Sequence, residues 1–159
     1  MRYDNSAVRR QDRLLSEERA RELLREGEYG FLAMASAQGG YGVPVNYATD
    51  GDTIYLHCAP EGRKLRAIEH DARVTFCVVG HAELVPHEFT TQYESVIASG
   101  VARVVKSDDE RRKALRLIVE KYASEHLDKG LRAIERSLPR TAIIAIEVEH
   151  FSGKTKVVR

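Results

Sequence analysis

A glycine followed by two adjacent cations, Gly62-Arg63-Lys64, with His57 shortly upstream, carries the residue types in this chain best suited to chemistry. They lie in His57-Cys58-Ala59-Pro60-Glu61-Gly62-Arg63-Lys64-Leu65-Arg66-Ala67-Ile68, which leaves the β-like Thr53-Ile54-Tyr55-Leu56 through a Pro/Gly turn and enters a helix-like run. A helix start offers unbonded N–H groups and the positive end of its dipole to an anion, and two cationic side chains in the first turn strengthen that field. Gly62 lets the backbone approach a ligand closely. The pattern fits a phosphate seat with His57 near its edge, where an imidazole can exchange a proton near neutral pH. A solvated basic helix start behind an ordinary turn fits the same residues.

The other reactive side chains form no recognisable constellation. Cys58 and Cys77 make neither a disulfide framework nor a zinc set, and free thiols are expected of both. Cys77, in the apolar run Val74-Thr75-Phe76-Cys77-Val78-Val79, reads as core, and no base is placed beside Cys58 to activate it. His81 and His87 lack the spacing of paired ligands, so they read as surface histidines and no metal is expected. No GxGxxG follows a strand, and Walker, GxSxG and HExxH motifs are absent.

The elements that must position these residues are read from their periods. Residues 1–12 are polar and aperiodic, a flexible N-terminal arm ahead of a single domain over 13–159. Ser16-Glu17-Glu18 opens a helix over about 16–26, with Ala20, Leu23 and Leu24 on one face and Gly27 as its stop. Residues 31–35 and 41–47 read as strands about a Gln38-Gly39-Gly40 turn, and Asp50-Gly51 as the hairpin into the strand ending at His57. Three strands in a row predict an antiparallel meander. Pro44 cannot donate to a ladder, so its strand is an edge or carries a bulge, leaving backbone groups that a planar polar ligand could use.

After a short helix from Arg63 to about His70, strands are expected at 74–79 and about 91–106, with 80–86 a loop and Gly100 a bend. Ser107-Asp108-Asp109-Glu110 predicts a capping box, opening a helix to about Tyr122 whose Ala114, Leu115, Ile118 and Tyr122 form a core stripe. A further helix over about 129–137 buries Leu131 and Ile134, Pro139 ends it, and a last strand over 141–149 leads into Phe151-Ser152-Gly153-Lys154. This order fits a mainly β fold with added α, a small antiparallel β-barrel with helices packed outside.

Composition narrows the partners. At 159 residues, 43% hydrophobic and 31% charged, the chain fits one soluble domain with a substantial core. A net charge of +1 gives no long-range field for nucleic acid or an anionic membrane, so anion binding must be local. No apolar run approaches the roughly 20 residues needed to span a bilayer. The charged N-terminus lacks a signal peptide's apolar core, and a cytoplasmic location is expected.

Four segments together give the chain a family likeness: Gly42-Val43-Pro44-Val45-Asn46-Tyr47; Ile54-Tyr55-Leu56-His57 with Gly62-Arg63-Lys64-Leu65; Gln92-Tyr93-Glu94-Ser95-Val96 continuing to Gly100-Val101-Ala102-Arg103-Val104; and Phe151-Ser152-Gly153-Lys154. By their order and spacing the chain resembles the pyridoxamine 5′-phosphate oxidase-related, FMN-binding split-barrel superfamily, and within it the nitroimidazole-resistance branch. The resemblance covers about residues 12–156. It implies a homodimer of six-stranded split barrels with two FMN sites at the subunit interface. By similarity, Val43, Pro44, Val45, Asn46 and Tyr47 lie along the flavin ring, and Arg63 and Lys64 hold the phosphate. Tyr93, Ser95 and Val96 belong to the strand beside the cofactor, His57 matches a histidine close to ring and substrate, and Lys154 adds a cation, from the partner subunit in one arrangement. Phe151 stands where the family motif usually has tryptophan, so a stacking surface survives without an indole N–H.

The resemblance thus implies an FMN-dependent oxidoreductase, with reduction of a nitroaromatic or similar small molecule as its reaction. Two other classes fit the same residues: a non-catalytic FMN carrier or sensor, and a split barrel that binds haem or a deazaflavin. Pyridoxamine 5′-phosphate oxidation itself is not expected, because that enzyme's full set of substrate-phosphate residues is not found.

Overall fold

Period-two alternation of apolar side chains lays most of the chain into one sheet. The computed structural model describes residues 1–158. The strands are β1 (Arg2–Tyr3), β2 (Gly30–Ser36), β3 (Gly39–Val45), β4 (Ala48–Asp50), β5 (Thr53–Cys58), β6 (Arg73–Val85), β7 (Thr90–Val104) and β8 (Ala142–Lys156). They are hydrogen-bonded in the order β3-β2-β6-β7-β8-β5-β4, with β1 added in parallel to β8. All the other pairings are antiparallel. The sheet curls without closing, leaving β3 and β4 as its ends, so the split-barrel architecture is as expected with more strands than six. Helices α1 (Glu17–Glu26), α2 (Arg63–His70), α3 (Asp108–Ala123) and α4 (Leu127–Ser137) pack around it. Among the described residues no helix is long and apolar enough to cross a membrane.

The meander is corrected. β2 and β3 form the expected hairpin, but β5 pairs with β8 instead of β3. Asp50-Gly51 does turn a hairpin, between β5 and the short β4 that the sequence pattern did not separate. Between β3 and β4 the chain dives inward at Tyr47, which is fully buried, and this carries it to the other end of the sheet. Pro44 sits on edge strand β3, where a missing donor breaks no ladder. The loop expected at 80–86 is mostly strand, because a bulge between Val79 and Ala82 lets β6 continue to Val85. Gly100 marks a second register shift, where a Cβ would lie 2.1 Å from the Glu147 carbonyl oxygen.

The first residues of the segment expected to be a loose arm lie against the sheet. β1 pairs with His150 and Phe151, the Asp4 N–H donates to the Phe151 carbonyl at 2.8 Å, and the Tyr3 ring lies 5.1 Å from that of Phe151. An aromatic and a free strand edge outweigh the segment's polar composition.

The core has two parts. Leu32, Phe76, Val96, Ile144, Ile146 and Phe151 fill the barrel, while Tyr55, Ile143 and Ala145 on the opposite face of the sheet pack against Leu115, Ile134 and Leu138. The capping box at the start of α3 is half formed. Ser107 Oγ accepts from the Glu110 N–H, but the Glu110 carboxylate turns to Arg103 at 2.6 Å and the Tyr55 hydroxyl at 3.0 Å. Tyr122, expected in the core stripe, is 37% exposed; its hydroxyl accepts from the Tyr47 N–H and lies within donating distance of the Glu28 and Tyr47 carbonyls, which share its one proton.

Lys121 beside it is the one buried side-chain polar atom without a hydrogen-bond partner among the described residues, its Nζ 3.8 Å from the centre of the Tyr47 ring. Burial lowers its pKa to about 8. Below that pH the folded state carries an unpaired charge, and the penalty fades as pH rises from about 8 toward the ordinary 10.5. Lys121→Met should therefore raise the melting temperature at pH 7, with the gain shrinking in melts between pH 8 and 10. A variant less stable at pH 7 would mean that the cation–π contact dominates.

Candidate functional site

The end of β5 and the start of α2 bring the predicted phosphate-seat residues together. Gly62 precedes the helix with φ 140° and ψ 176°, a backbone region open to glycine alone, and a Cβ there would meet nothing within 4 Å. The space beside the turn is therefore open to a ligand, and conformation is what demands the glycine. Arg63 is exposed and lies over the ring of Tyr41 on β3, 4.2 Å from its centre. That contact orients the guanidinium across the gap between α2 and the sheet edge. Lys64 lies close enough to His57 and Cys58 to affect both.

His57 is exposed at the end of β5, opposite Ile143. Packing around the ring lowers its pKa below the ordinary 6.5, and the Lys64 ammonium acts in the same direction. It is therefore a neutral imidazole at pH 7, able to donate or accept a hydrogen bond. Cys58 is half-buried, and burial raises its pKa against the smaller opposing pull of Lys64, so it remains a thiol. Cys77 is also free, but it is not core. It faces outward between Phe31 and Ile97, its immediate neighbours across the sheet.

The proposed ring-contact segment divides by face. Val43 and Val45 pack on the barrel core, whereas Pro44 and Asn46 are exposed, with Asn46 Nδ2 donating to the Glu28 carbonyl at 3.1 Å. Tyr47 belongs to the interior. Its ring packs edge-on against Phe76, its hydroxyl donates to the Leu24 carbonyl at 2.6 Å, and Tyr122 engages both its backbone groups. Val96 is fully buried and reaches no surface, while its neighbours Tyr93 and Ser95 lie partly open. Ser95 is paired across the sheet with Lys154, whose Nζ is 5.8 Å from the Tyr93 ring centre.

The candidates thus form two groups. One comprises His57, Arg63 and Lys64 with the β3 edge; the other comprises Tyr93, Ser95 and Lys154. His57 registers with Ile143, and Lys154 lies eleven residues further along β8. At about 3.3 Å per residue this is roughly 35 Å of strand path.

Charge pairing leaves the cations of the first group unneutralised, as it does several others, Lys154 among them. Among the described residues the ion pairs engage Arg2, Arg10, Arg13, Arg19, Arg21, Arg25, Arg73, Arg103, Arg111, Arg112 and Arg116, and none reaches Arg63, Lys64 or Arg66. Tyr41 and the α2 residues Arg66 and His70 were not singled out from sequence, although 63, 66 and 70 fall on one helical face. Also unanticipated is an apolar outward stripe, with Phe31 46%, Val79 56% and Ile97 47% exposed. The exposed edge of β3, the open space at Gly62 and two cations without acidic partners fit a planar group with a phosphate tail.

Comparison with known proteins gives one family match: the model described as pyridoxamine 5′-phosphate oxidase covers residues 16–155. No curated protein matches in sequence. Among solved structures, similar folds include a candidate 5-nitroimidazole antibiotic resistance protein of Bacteroides thetaiotaomicron, 22% identical over 90% of this chain and 86% of that one, with a TM-score of 0.73. An FAD and haem binding protein of Mycobacterium smegmatis is 20% identical over 90% of this chain and 72% of its own, with a TM-score of 0.76. An FAD-binding protein of Mesorhizobium loti is 21% identical over 92% and 97%, with a TM-score of 0.63. At these identities the likeness is one of fold.

The electrostatics of the site can be checked directly. In an NMR titration the His57 imidazole should titrate below 6.5, and Lys64→Met should raise its midpoint part of the way back. An unmoved midpoint would place Lys64 outside the site.

Proposed function

Because the chain belongs to the pyridoxamine 5′-phosphate oxidase family, we propose that it binds a flavin by its 5′-phosphate end, as FMN or the FMN part of a larger flavin, and serves as an oxidoreductase. The observation that carries this is the pair of cations at Arg63 and Lys64, free of ion pairs, behind a glycine-only turn that faces open space. Those side chains and the N–H groups of the first turn of α2 hold the phosphate. The open edge of β3 supplies backbone donors and acceptors to the ring, with Pro44 the one position that cannot donate. A bound flavin supplies the hydride and electron chemistry. His57, uncharged at neutral pH, hydrogen-bonds a substrate beside the ring; packing around the imidazole first, and Lys64 second, disfavour its charged form. Small planar acceptors such as nitroaromatics are the substrate class that fits, and the similar fold of the nitroimidazole-resistance candidate supports that choice.

The working unit is a homodimer. One chain holds Tyr93, Ser95 and Lys154 too far along β8 from His57 to share a site with it. A second copy packed on the outward stripe of Phe31, Cys77, Val79 and Ile97 covers the exposed apolar face and brings one chain's Lys154 group toward the other's α2.

Two experiments test this reading. Arg63→Ala with Lys64→Ala should weaken FMN binding at least about tenfold, a loss expected of charge-assisted hydrogen bonds, while the melting temperature of the apoprotein stays close to wild type because neither cation makes an ion pair and surface charges add little stability. Unchanged affinity removes the phosphate seat. With the wild-type holoprotein, rapid reoxidation of dithionite-reduced flavin by a nitroimidazole or quinone marks an oxidoreductase, and flavin that no acceptor reoxidises marks a carrier. Separately, Ile97→Glu should convert the dimer to a monomer in sedimentation velocity and lower flavin affinity with it. A dimer that survives places the interface elsewhere.

A further inference from the structure

The cleft between α2 and the β2–β3 turn holds cationic groups that the first phosphate seat does not use. Arg63, Arg66 and His70 line one wall, Ser36, Ala37 and Gln38 line the other, and the space between them is about 560 Å³. Buried Ala67 is its floor. The three cationic or imidazole side chains recur at i, i+3 and i+7, which stacks them along one helical face. Two permanent positive charges one turn apart repel, and a nearby carboxylate would relieve them. Here none provides relief. Glu61 and Glu69 make no ion pair with either arginine, and Asp71 is taken by Arg73 at 2.6 Å. Across the cleft the turn satisfies itself, with Ser36 Oγ donating to the Gly39 carbonyl at 2.7 Å and accepting from the Gln38 N–H at 3.3 Å. The Gln38 side chain is exposed there. Arg63 borders both this cleft and the Gly62 turn, with Tyr41 fixing its plane.

We propose that this cleft is a second anion subsite, taking a phosphate group in addition to the one seated at Gly62, Arg63 and Lys64. Arg66 lies about 4.5 Å further along the helix axis than Arg63, an advance comparable to the step between neighbouring phosphates of a diphosphate. Arg66 presents a fork of N–H donors to the anion, His70 adds a ring N–H at the far end, and Gln38 closes the side toward the turn. Such a group has two chemical sources. It is either the adenylate arm of a flavin dinucleotide, in which case the subsite rests on the flavin reading above, or a separate phosphorylated small molecule bound beside the flavin.

Calorimetric titration of FMN, FAD and inorganic pyrophosphate into wild type and Arg66→Ala/His70→Ala distinguishes these. Both positions are exposed, and thermal melts together with the single Arg66→Gln variant control for folding. If the adenylate arm is the source, FAD binds at least tenfold tighter than FMN in wild type, and the double variant loses that advantage with FMN affinity unchanged. If the phosphate is separate, FMN and FAD bind alike, and pyrophosphate binds the flavin-loaded protein with an affinity that falls tenfold or more in the variant. Pyrophosphate binding with the same dependence on Arg66 and His70, but no binding of either flavin, removes the flavin reading and keeps the subsite. The proposal is overturned if wild type neither prefers FAD nor binds pyrophosphate, or if the variants match wild type for all three ligands.

Discussion

Strand β8 must bury two different faces along one run of backbone, and most of the molecule follows from how it does so. In its first half Ile143 and Ala145 face α3 and α4 while Ile144 and Ile146 face the barrel, so both sides are apolar and both are covered. β5 pairs with this half, which sets His57 and hence the start of α2 at one end of the barrel. In the second half Phe151 and Gly153 still point inward, but Ser152 and Lys154 point out beside Ile97 and Ser95 of β7. A side-chain period of two leaves no other assignment once Phe151 is fixed inside. The same strand therefore separates the two groups of site candidates and leaves an apolar stripe outside the barrel.

In a nearly neutral chain an anion must be held by a local excess of donors and cations, and the distribution of ion pairs shows where cations are left unneutralised. Arg19 reaches Glu94 at 2.8 Å, Arg103 reaches Glu110 and Glu147, and Arg112 reaches Glu135 at 3.0 Å. Individually these exposed pairs add little to stability. Together they neutralise much of the surface. Among the described residues the cations left without an ion pair include Arg9, Lys106, Lys129, Arg132, Arg136, Arg140, Lys154 and Lys156, and the short helix α2 gathers three more, Arg63, Lys64 and Arg66, within four positions. The local field there owes little to the net charge of +1.

Much of this was legible in the sequence wherever a residue's role is decided by its neighbours along the chain. Ser16 and Ser107 cap their helices, Pro44 lies on an edge, Gly62 needs a backbone that only glycine adopts, and Gly100 marks a register shift. Roles set by distant partners were not legible. Nothing local says that β5 will pair with β8, ninety residues away, in place of the adjacent β3. Tyr47 and Val96 sit in motifs that read as cofactor contacts, yet strand parity and the inward dive after β3 put both in the interior. Cys77 reads as core from its apolar run, and only its register opposite Phe31 and Ile97 turns it outward. Arg66 and His70 stand at helical spacing from Arg63, but only the β2–β3 turn folded against α2 makes that face one wall of a cleft.

The lowered pKa of His57 bears on how charge is divided at such a site. Packing around the ring and Lys64 both favour the neutral imidazole, so at the proposed site permanent positive charge would come from Arg63 and Lys64, leaving His57 to exchange hydrogen bonds. That division suits a reaction in which the charge of a tail must be held constant while the protonation of a reacting group changes. Were His57 a standing cation, it would compete with α2 for the tail and could not accept a proton. With His57 at the end of β5 and the cations in the first turn of α2, anchoring and proton exchange fall to different side chains, and the glycine at position 62 sets the turn between them.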